Sequence, residues 1–401
     1  MAEIPPRTAR IVLVKRDGRL LGALPTVHVA TPWWMDIAPV VESVRNAFGI
    51  EVIVLRLLSV KSAKPFGGEV TYLAETASDP EVEPWEGTLD DHPLRLPYAE
   101  PGGPAADLMW AEAVLADKGF LRAGPAVQVR TWNLSSLWKL PVEGETIWLK
   151  SVPPFFAHEG ALLRALAGGP VPELIGSEGG RILMREIPGD DGYAAPMPTL
   201  LCMLPLLFDL QKAWIGREEE LLQLGLPDWR PGALIPLIQS VIAKHGRFCP
   251  KDDEVALESI ADGLAMRFRL IEECGIPDTL VHGDFHPGNV RVKGEHLTLI
   301  DWGDSGLGHP LFDQSAFLDD RQEEHLEPLR LLWIQLWESA IPRSLPERAA
   351  RLLAPISAAR RAVVYDGFLE QIEPSEHVYH RSDPVDWLRQ AAALARAEIH
   401  P

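Results

Sequence analysis

Cysteine is scarce. The chain has three, Cys202, Cys249 and Cys274, and no two form a C-x-x-C pair, which excludes a disulfide framework and a zinc ribbon. Basic residues are outnumbered: 38 Lys and Arg stand against 57 Asp and Glu, for a net charge of −19. A surplus of that sign excludes a protein built to grip a phosphate backbone, so no nucleic-acid partner is expected. It fits solubility alone, and it also fits the handling of cationic small molecules. No apolar run reaches the roughly 18–20 residues that span a bilayer; the longest, Leu200 to Phe208, contains Pro205. The opening MAEIPPRTARIVLVKRDGR lacks the charged-then-apolar pattern of a secretory leader. No membrane partner and a cytoplasmic placement are therefore expected. What is present is the balance of a globular chain: 401 residues, 46% hydrophobic and 24% charged, enough for two or three domains with their own cores.

Three regions follow from the patterning. Residues 1–95 read as a small α+β domain. ARIVLVKRDGRLLGAL predicts a hairpin turning at Arg16-Asp17-Gly18, Trp34 to Phe48 a helix closed by Gly49, and EVIVLRLLSV and GEVTYLAET two more strands. Between Glu75 and Asp91 lie seven acids and no base, with prolines on either side, a solvated loop leading into a linker at 96–104. Residues 105–186 open with a helix and continue as strands at AVQVRTWNL, SSLWKLPV, ETIWLKSV and GRILMREI, with a helix from Phe156 to Leu166. Residues 187–401 are mostly helical, interrupted by the hairpin NVRVKGEHLTLID, which turns at Lys293-Gly294-Glu295.

The chemistry concentrates in VHGDFHPGNVRVKGEHLTLIDWGDSGLGHPLFD, residues 281–313. Asp284 precedes Asn289 by five residues, and the hairpin brings the chain back to Asp301, twelve beyond Asn289. Phosphoryl transfer needs a carboxylate beside the attacking hydroxyl and hard-oxygen ligands for Mg²⁺ on the phosphates. A loop followed by a hairpin supplies all three, because the hairpin returns its far end beside its start. A competing reading takes His282, Asp284 and His286 as a transition-metal site, since alternate residues of an extended segment share a side.

HGDFHPGN with IDWGD resembles the signature of the aminoglycoside phosphotransferase and choline kinase-like families, small-molecule relatives of the protein kinases. The resemblance implies an α+β, bilobal protein kinase-like fold, with 105–186 as N-lobe and 187–401 as C-lobe. It implies that Asp284 is the catalytic base, that Asn289 and Asp301 bind Mg²⁺, and that Asp313 braces the loop. It further implies that Lys150, ending the strand ETIWLK, meets the phosphates of ATP or GTP and is held by Glu159. The phosphate-covering loop falls between the two strands before Lys150. It has no glycine, and Ser135 and Ser136 are its candidate donors. Arg185 to Gly189 matches the hinge, with Glu186 and Ile187 at the adenine. The chain lacks a long activation segment after Asp301, which suits a small-molecule hydroxyl acceptor. Candidates to line the acceptor pocket, or simply to fill the helical core, are Asp209, Gln211, Trp214, Trp333, Trp337, Tyr365, Asp366, Glu370 and Glu373. A nucleotide-binding regulatory module without transfer activity is the alternative.

The layout of residues 1–95 is similar to that of a degenerate Nudix domain. The family's metal-binding carboxylates would align with Ser43, Asn46 and Ala47, so no hydrolase chemistry is expected there. The identity of the acceptor, the choice between ATP and GTP, and the oligomeric state are not encoded in these motifs.

Overall fold

The computed structural model describes residues 6–61, 66–319 and 323–399. The chain forms two compact units. Unit 1 holds residues 1–160, 174–186 and 369–381; unit 2 holds 161–173, 187–368 and 382–401.

Unit 1 contains two five-stranded sheets. In the first, β1 (Arg7–Val14) pairs antiparallel with β2 (Leu20–Ala23) and β3 (Val27–Val29), and parallel with β5 (Gly68–Glu75), which in turn pairs antiparallel with β4 (Ile53–Val60). Helix α1 (Ala38–Phe48) starts where Pro39 suits a first turn and ends on Gly49 at φ 69°, whose N–H bonds to Arg45 O. Val40 and Val44, one turn apart, face a core with Trp34 and Tyr72. Arg7 is fully buried there, donating to the carbonyls of Trp34 (3.0 Å) and Asp36 (2.8 Å) and to the Tyr72 hydroxyl (2.8 Å).

Residues 96–104 carry buried Leu96, Tyr98 and Ala99 and lead into α2 (Gly103–Asp117). The second sheet runs β6 (Val127–Trp132), β7 (Ser135–Val142), β8 (Glu145–Ser151), β10 (Arg181–Arg185), β9 (Leu174–Glu178), all antiparallel. Its buried face, Trp138, Leu140, Leu149 and Leu183, packs on Ala111 and Leu115 of α2. Short helix α3 (Glu159–Ala165) follows β8. The chain enters unit 2 within α3, between Gly160 and Ala161, returns to unit 1 at Leu174, and passes into unit 2 again between Glu186 and Ile187.

Unit 2 carries β11 (Asp190–Asp191), α4 (Met197–Ala213), α5 (Glu218–Gln223), α6 (Pro231–His245), α7 (Lys251–Glu272), β12 (Thr279–Val281), the hairpin β13 (Val290–Lys293) and β14 (His296–Leu299), β15 (Gly306–Gly308), and helices α8 (Phe312–Leu318), α9 (Glu323–Ala340), α10 (Pro346–Gln371) and α11 (Asp383–Ile399). Sheets β11–β13–β14 and β12–β15 frame the segment between β12 and β15. Among the described residues, no helix is long and apolar enough to cross a membrane.

Residues 369–381, beyond the core of α10, return to unit 1. Glu376 accepts the Leu57 N–H at 3.0 Å, Glu373 pairs with Arg56 (3.4 Å) and Arg95 (3.1 Å), and Tyr379 packs edge-on to Trp34 and Trp132. Burial pushes the Glu376 carboxyl up to about 8. From the ordinary carboxylate range up to that value the unfolded chain ionises at this residue and the folded chain does not. Its contribution therefore declines as pH rises through that window. In Glu376→Gln the fall of Tm between about pH 5 and about pH 8 should be shallower than in the parent by a degree or more; parallel melting curves would show that the carboxyl does not titrate there.

Candidate active site

The loop from His282 to Asn289 leaves β12 and is held from behind by one carboxylate. Asp313 accepts the backbone N–H groups of His282 (Oδ2, 2.8 Å) and Gly283 (Oδ1, 2.8 Å), and the Gln211 amide at 2.8 Å. Gln211 is buried, and its main-chain carbonyl accepts the Thr279 hydroxyl. Gly283 sits at φ 87°, and a Cβ there would lie 2.0 Å from Asp304 O, so only glycine fits. Arg360 donates to Gly283 O at 2.9 Å, and Phe285 is buried against Phe317 and Trp333. With its backbone anchored on these partners, the loop presents the Asp284 side chain, 43% exposed, to solvent.

Two neighbours orient Asp284. Asn289 Nδ2 donates to its carbonyl (2.9 Å) and to its Oδ2 (3.0 Å), which turns the Asn289 amide oxygen away from the carboxylate. His286 Nδ1 accepts the Gly288 N–H at 3.0 Å, so Nε2 carries the proton and faces Asp284 Oδ2 at 3.4 Å. Tyr193 stacks on the His286 ring, and a Cβ on Gly288 would strike that tyrosine. Burial alone would raise the Asp284 carboxyl; the hydrogen bond from His286 and the charge of Arg361 act against it and hold it below the ordinary carboxylate range.

The hairpin does what its spacing promised. Val290 pairs with Leu299, and Ile300 N–H bonds to Asn289 O at 2.9 Å, so Asp301 follows directly beside Asn289. Asp301 is exposed and holds φ 64°, a left-handed backbone that non-glycine residues seldom adopt. Such conformations persist where the surroundings impose them, and they gather at functional sites. An amide oxygen and a carboxylate on adjoining backbone form a hard-oxygen donor set suited to Mg²⁺.

The histidines do not form a metal site with Asp284. His282 is fully buried, bonded through Nε2 to Ile300 O (3.0 Å) and packed on Trp302. Burial lowers it to about 4, so it is neutral. Among the described residues no group of three His, Cys, Asp or Glu side chains could hold a metal ion.

In unit 1, Lys150 Nζ and Glu159 Oε1 are 2.8 Å apart and both residues are buried. The β6–β7 turn is Asn133-Leu134. Ser135 and Ser136 lie inside β7, where their hydroxyls accept the indole N–H groups of Trp132 and Trp138. Glu186 is exposed at the end of β10, its N–H on Thr146 O (3.1 Å), and Ile187 is half-buried. Of the residues offered for the acceptor pocket, Gln211, Trp333 and Trp337 are buried in the core, Asp366 pairs with Lys244, and Glu373 belongs to unit 1. Tyr193, Arg360 and Arg361 went unnoticed in the sequence.

Residues 144–350 match the model of the phosphotransferase enzyme family. The chain belongs to that family. It is an enzyme of the phosphotransferase class, and its fold is the protein kinase-like one. Solved structures of similar fold include a macrolide 2′-phosphotransferase type I (18% identity, 70% of this chain and 97% of that one, TM-score 0.52). A choline kinase from Streptococcus pneumoniae (12%, 73% and 99%, 0.52) and an ethanolamine kinase from Plasmodium vivax (11%, 73% and 88%, 0.52) are also similar. No curated protein matches in sequence.

Proposed function

We propose that this phosphotransferase moves the terminal phosphoryl group of ATP or GTP to a hydroxyl of a small molecule, with Mg²⁺ as cofactor. The observation that carries the reading is the arrangement around Asp284: an exposed carboxylate hydrogen-bonded by Asn289, with Asp301 placed next to Asn289 by the hairpin. The acceptor oxygen forms a bond to the γ-phosphorus, the bond to the β,γ-bridging oxygen breaks, the nucleoside diphosphate leaves, and the hydroxyl proton passes to Asp284. Mg²⁺, held by Asn289 and Asp301, would neutralise charge on the phosphates. Lys150 would steady them, kept in place by Glu159, and Glu186 and Ile187 would border the base. Ser135 and Ser136 support this less, because their hydroxyls are already engaged. The structural neighbours are named for choline, ethanolamine and macrolides, which supports a small-molecule acceptor.

Nucleoside diphosphate release across a panel of hydroxyl compounds, with products checked by mass spectrometry, tests the reading. Acceptor-dependent release is expected. The regulatory alternative draws on the β6–β7 turn, which has no glycine and whose Asn133 is buried; tight nucleotide binding with no transfer to any acceptor would favour it.

Lys150→Ala should weaken nucleotide binding at least about tenfold, the scale of one charge-assisted contact. It should also lower Tm, since the buried Glu159 loses its 2.8 Å partner. Parental nucleotide affinity in a folded variant would make the pair purely structural.

A further inference from the structure

Strand β6 lies at one edge of the second sheet, and an edge strand normally leaves a row of backbone groups unpaired. Here residues of the first region cover that edge. Ile37 N–H bonds to Val129 O at 3.0 Å, and Thr131 N–H bonds to Met35 O at 3.2 Å. Between them Arg130 reaches Asp36 at 3.5 Å. Gln128, 5% exposed, supplies a further rung from its side chain: its amide accepts the Val54 N–H at 2.9 Å and donates to Val54 O at 2.7 Å.

The grip continues through the turn that β6 feeds. The Tyr98 hydroxyl donates to Trp132 O at 3.0 Å. The Trp132 ring meets Tyr379 edge-on and then His380, with ring centres 5.5 and 5.6 Å away. Asn133 is buried, and its backbone N–H is directed at the carboxyl of Glu376, which also takes the Leu57 N–H. Three residues before Glu376, Glu373 is fixed by Arg56 and Arg95. All these partners lie within unit 1. A glycine-rich covering loop is free to move and has to be ordered when its ligand arrives. A turn packed on so many partners has given up that freedom beforehand, which lowers the cost of binding.

We propose that residues 35–57, Tyr98 and residues 373–380 form a frame that fixes the β6–β7 turn before nucleotide arrives, and that this frame stands in for the missing glycines. Tyr98 and Glu376 are then positioning residues for nucleotide binding. The inference rests on the reading of this turn as the nucleotide-covering one. It gives the first region a task that needs no carboxylate cluster on α1.

Hydrogen exchange of the full chain, read by mass spectrometry with and without Mg²⁺ and the β,γ-imido analogue of ATP or GTP, tests it. In the parent, amides 132–136 should exchange slowly without nucleotide and change by less than about twofold on its addition. Glu376→Ala removes the acceptor that both N–H groups face. It should speed exchange at the turn at least about fivefold, the scale of one lost hydrogen bond, and weaken nucleotide binding in calorimetry by a similar factor. Turnover at saturating nucleotide should stay within about twofold of the parent. Glu376→Gln keeps an acceptor oxygen and should restore both quantities. Tyr98→Phe loses a hydroxyl without opening a void; it should move both quantities in the same direction, and it carries the test if Glu376→Ala does not fold. A parental turn that exchanges freely until nucleotide is added would show that it closes after binding, and would overturn the frame. So would variants that melt earlier yet keep parental exchange at the turn and parental nucleotide affinity, since the contacts would then be purely structural. The phosphotransferase reading fails separately: a protected turn that binds nucleotide, while no hydroxyl compound is phosphorylated, would sink that reading and leave the frame standing.

Discussion

Asp284→Asn should lower turnover by at least about a hundredfold while leaving nucleotide affinity near the parental value. The variant is a clean one because the asparagine side chain keeps an oxygen where Asn289 Nδ2 and His286 Nε2 now donate. The backbone of the loop is held by Asp313 and Arg360 and does not depend on the Asp284 side chain. What is lost is the charge and the place for a proton. A carboxyl held below its ordinary range is a weak base, which suits phosphoryl transfer through a loose transition state: the hydroxyl needs orientation early and gives up its proton late. Diphosphate release at saturating acceptor, beside a nucleotide titration, separates the two quantities. Parental turnover would remove Asp284 from the chemistry.

The residues legible in the sequence were those whose role depends on local spacing. A hairpin turning at Gly294 must return Asp301 beside Asn289, and the Ile300 to Asn289 hydrogen bond does so. A lysine ending an apolar strand and a glutamate opening the next helix met at 2.8 Å. Residues whose role depends on which face of a helix meets what were not legible. Gln211, Trp333 and Trp337 stand at amphipathic spacing, which is the same for a pocket wall and for a core, and all three are core. Arg360 and Arg361 drew no notice in the helical pattern, yet Arg360 is 2% exposed and holds the backbone of the Asp284 loop at Gly283 O. His282 and His286 alternate as metal ligands would, but only the packing shows that one ring is spent on Ile300 and Trp302 and that the other orients Asp284. Strand β9 was missed because LIGSE has no alternation: its residues are half-buried or exposed at a sheet edge. Nor does residue pattern reveal that Glu376 and Tyr379 dock on β4 and the Trp34 core, since that pairing spans more than 300 residues.

Asp301→Ala should reduce Mg²⁺-dependent turnover by roughly a thousandfold or more, the scale of the several kcal/mol that a bound metal ion contributes to stabilising transition-state charge. Alanine alone would confound two effects. At φ 64° an L-residue without a short polar side chain is disfavoured by about 1–2 kcal/mol, so some loss would come from the backbone. Asp301→Gly separates them. Glycine accepts the left-handed conformation without strain, so this variant should melt at or above the parental temperature, yet it lacks the carboxylate and should be as inactive as the alanine one. Asp301→Asn keeps an oxygen and the local turn preference but loses the charge, and should fall between. A Mg²⁺ titration of turnover for the three variants checks the order. If Asp301→Gly kept the parental Mg²⁺ dependence, the carboxylate would not be a ligand and the left-handed turn would be a purely structural feature. If zinc restored a chelated sample while magnesium did not, the metal would have to be sought elsewhere than on Asn289 and Asp301.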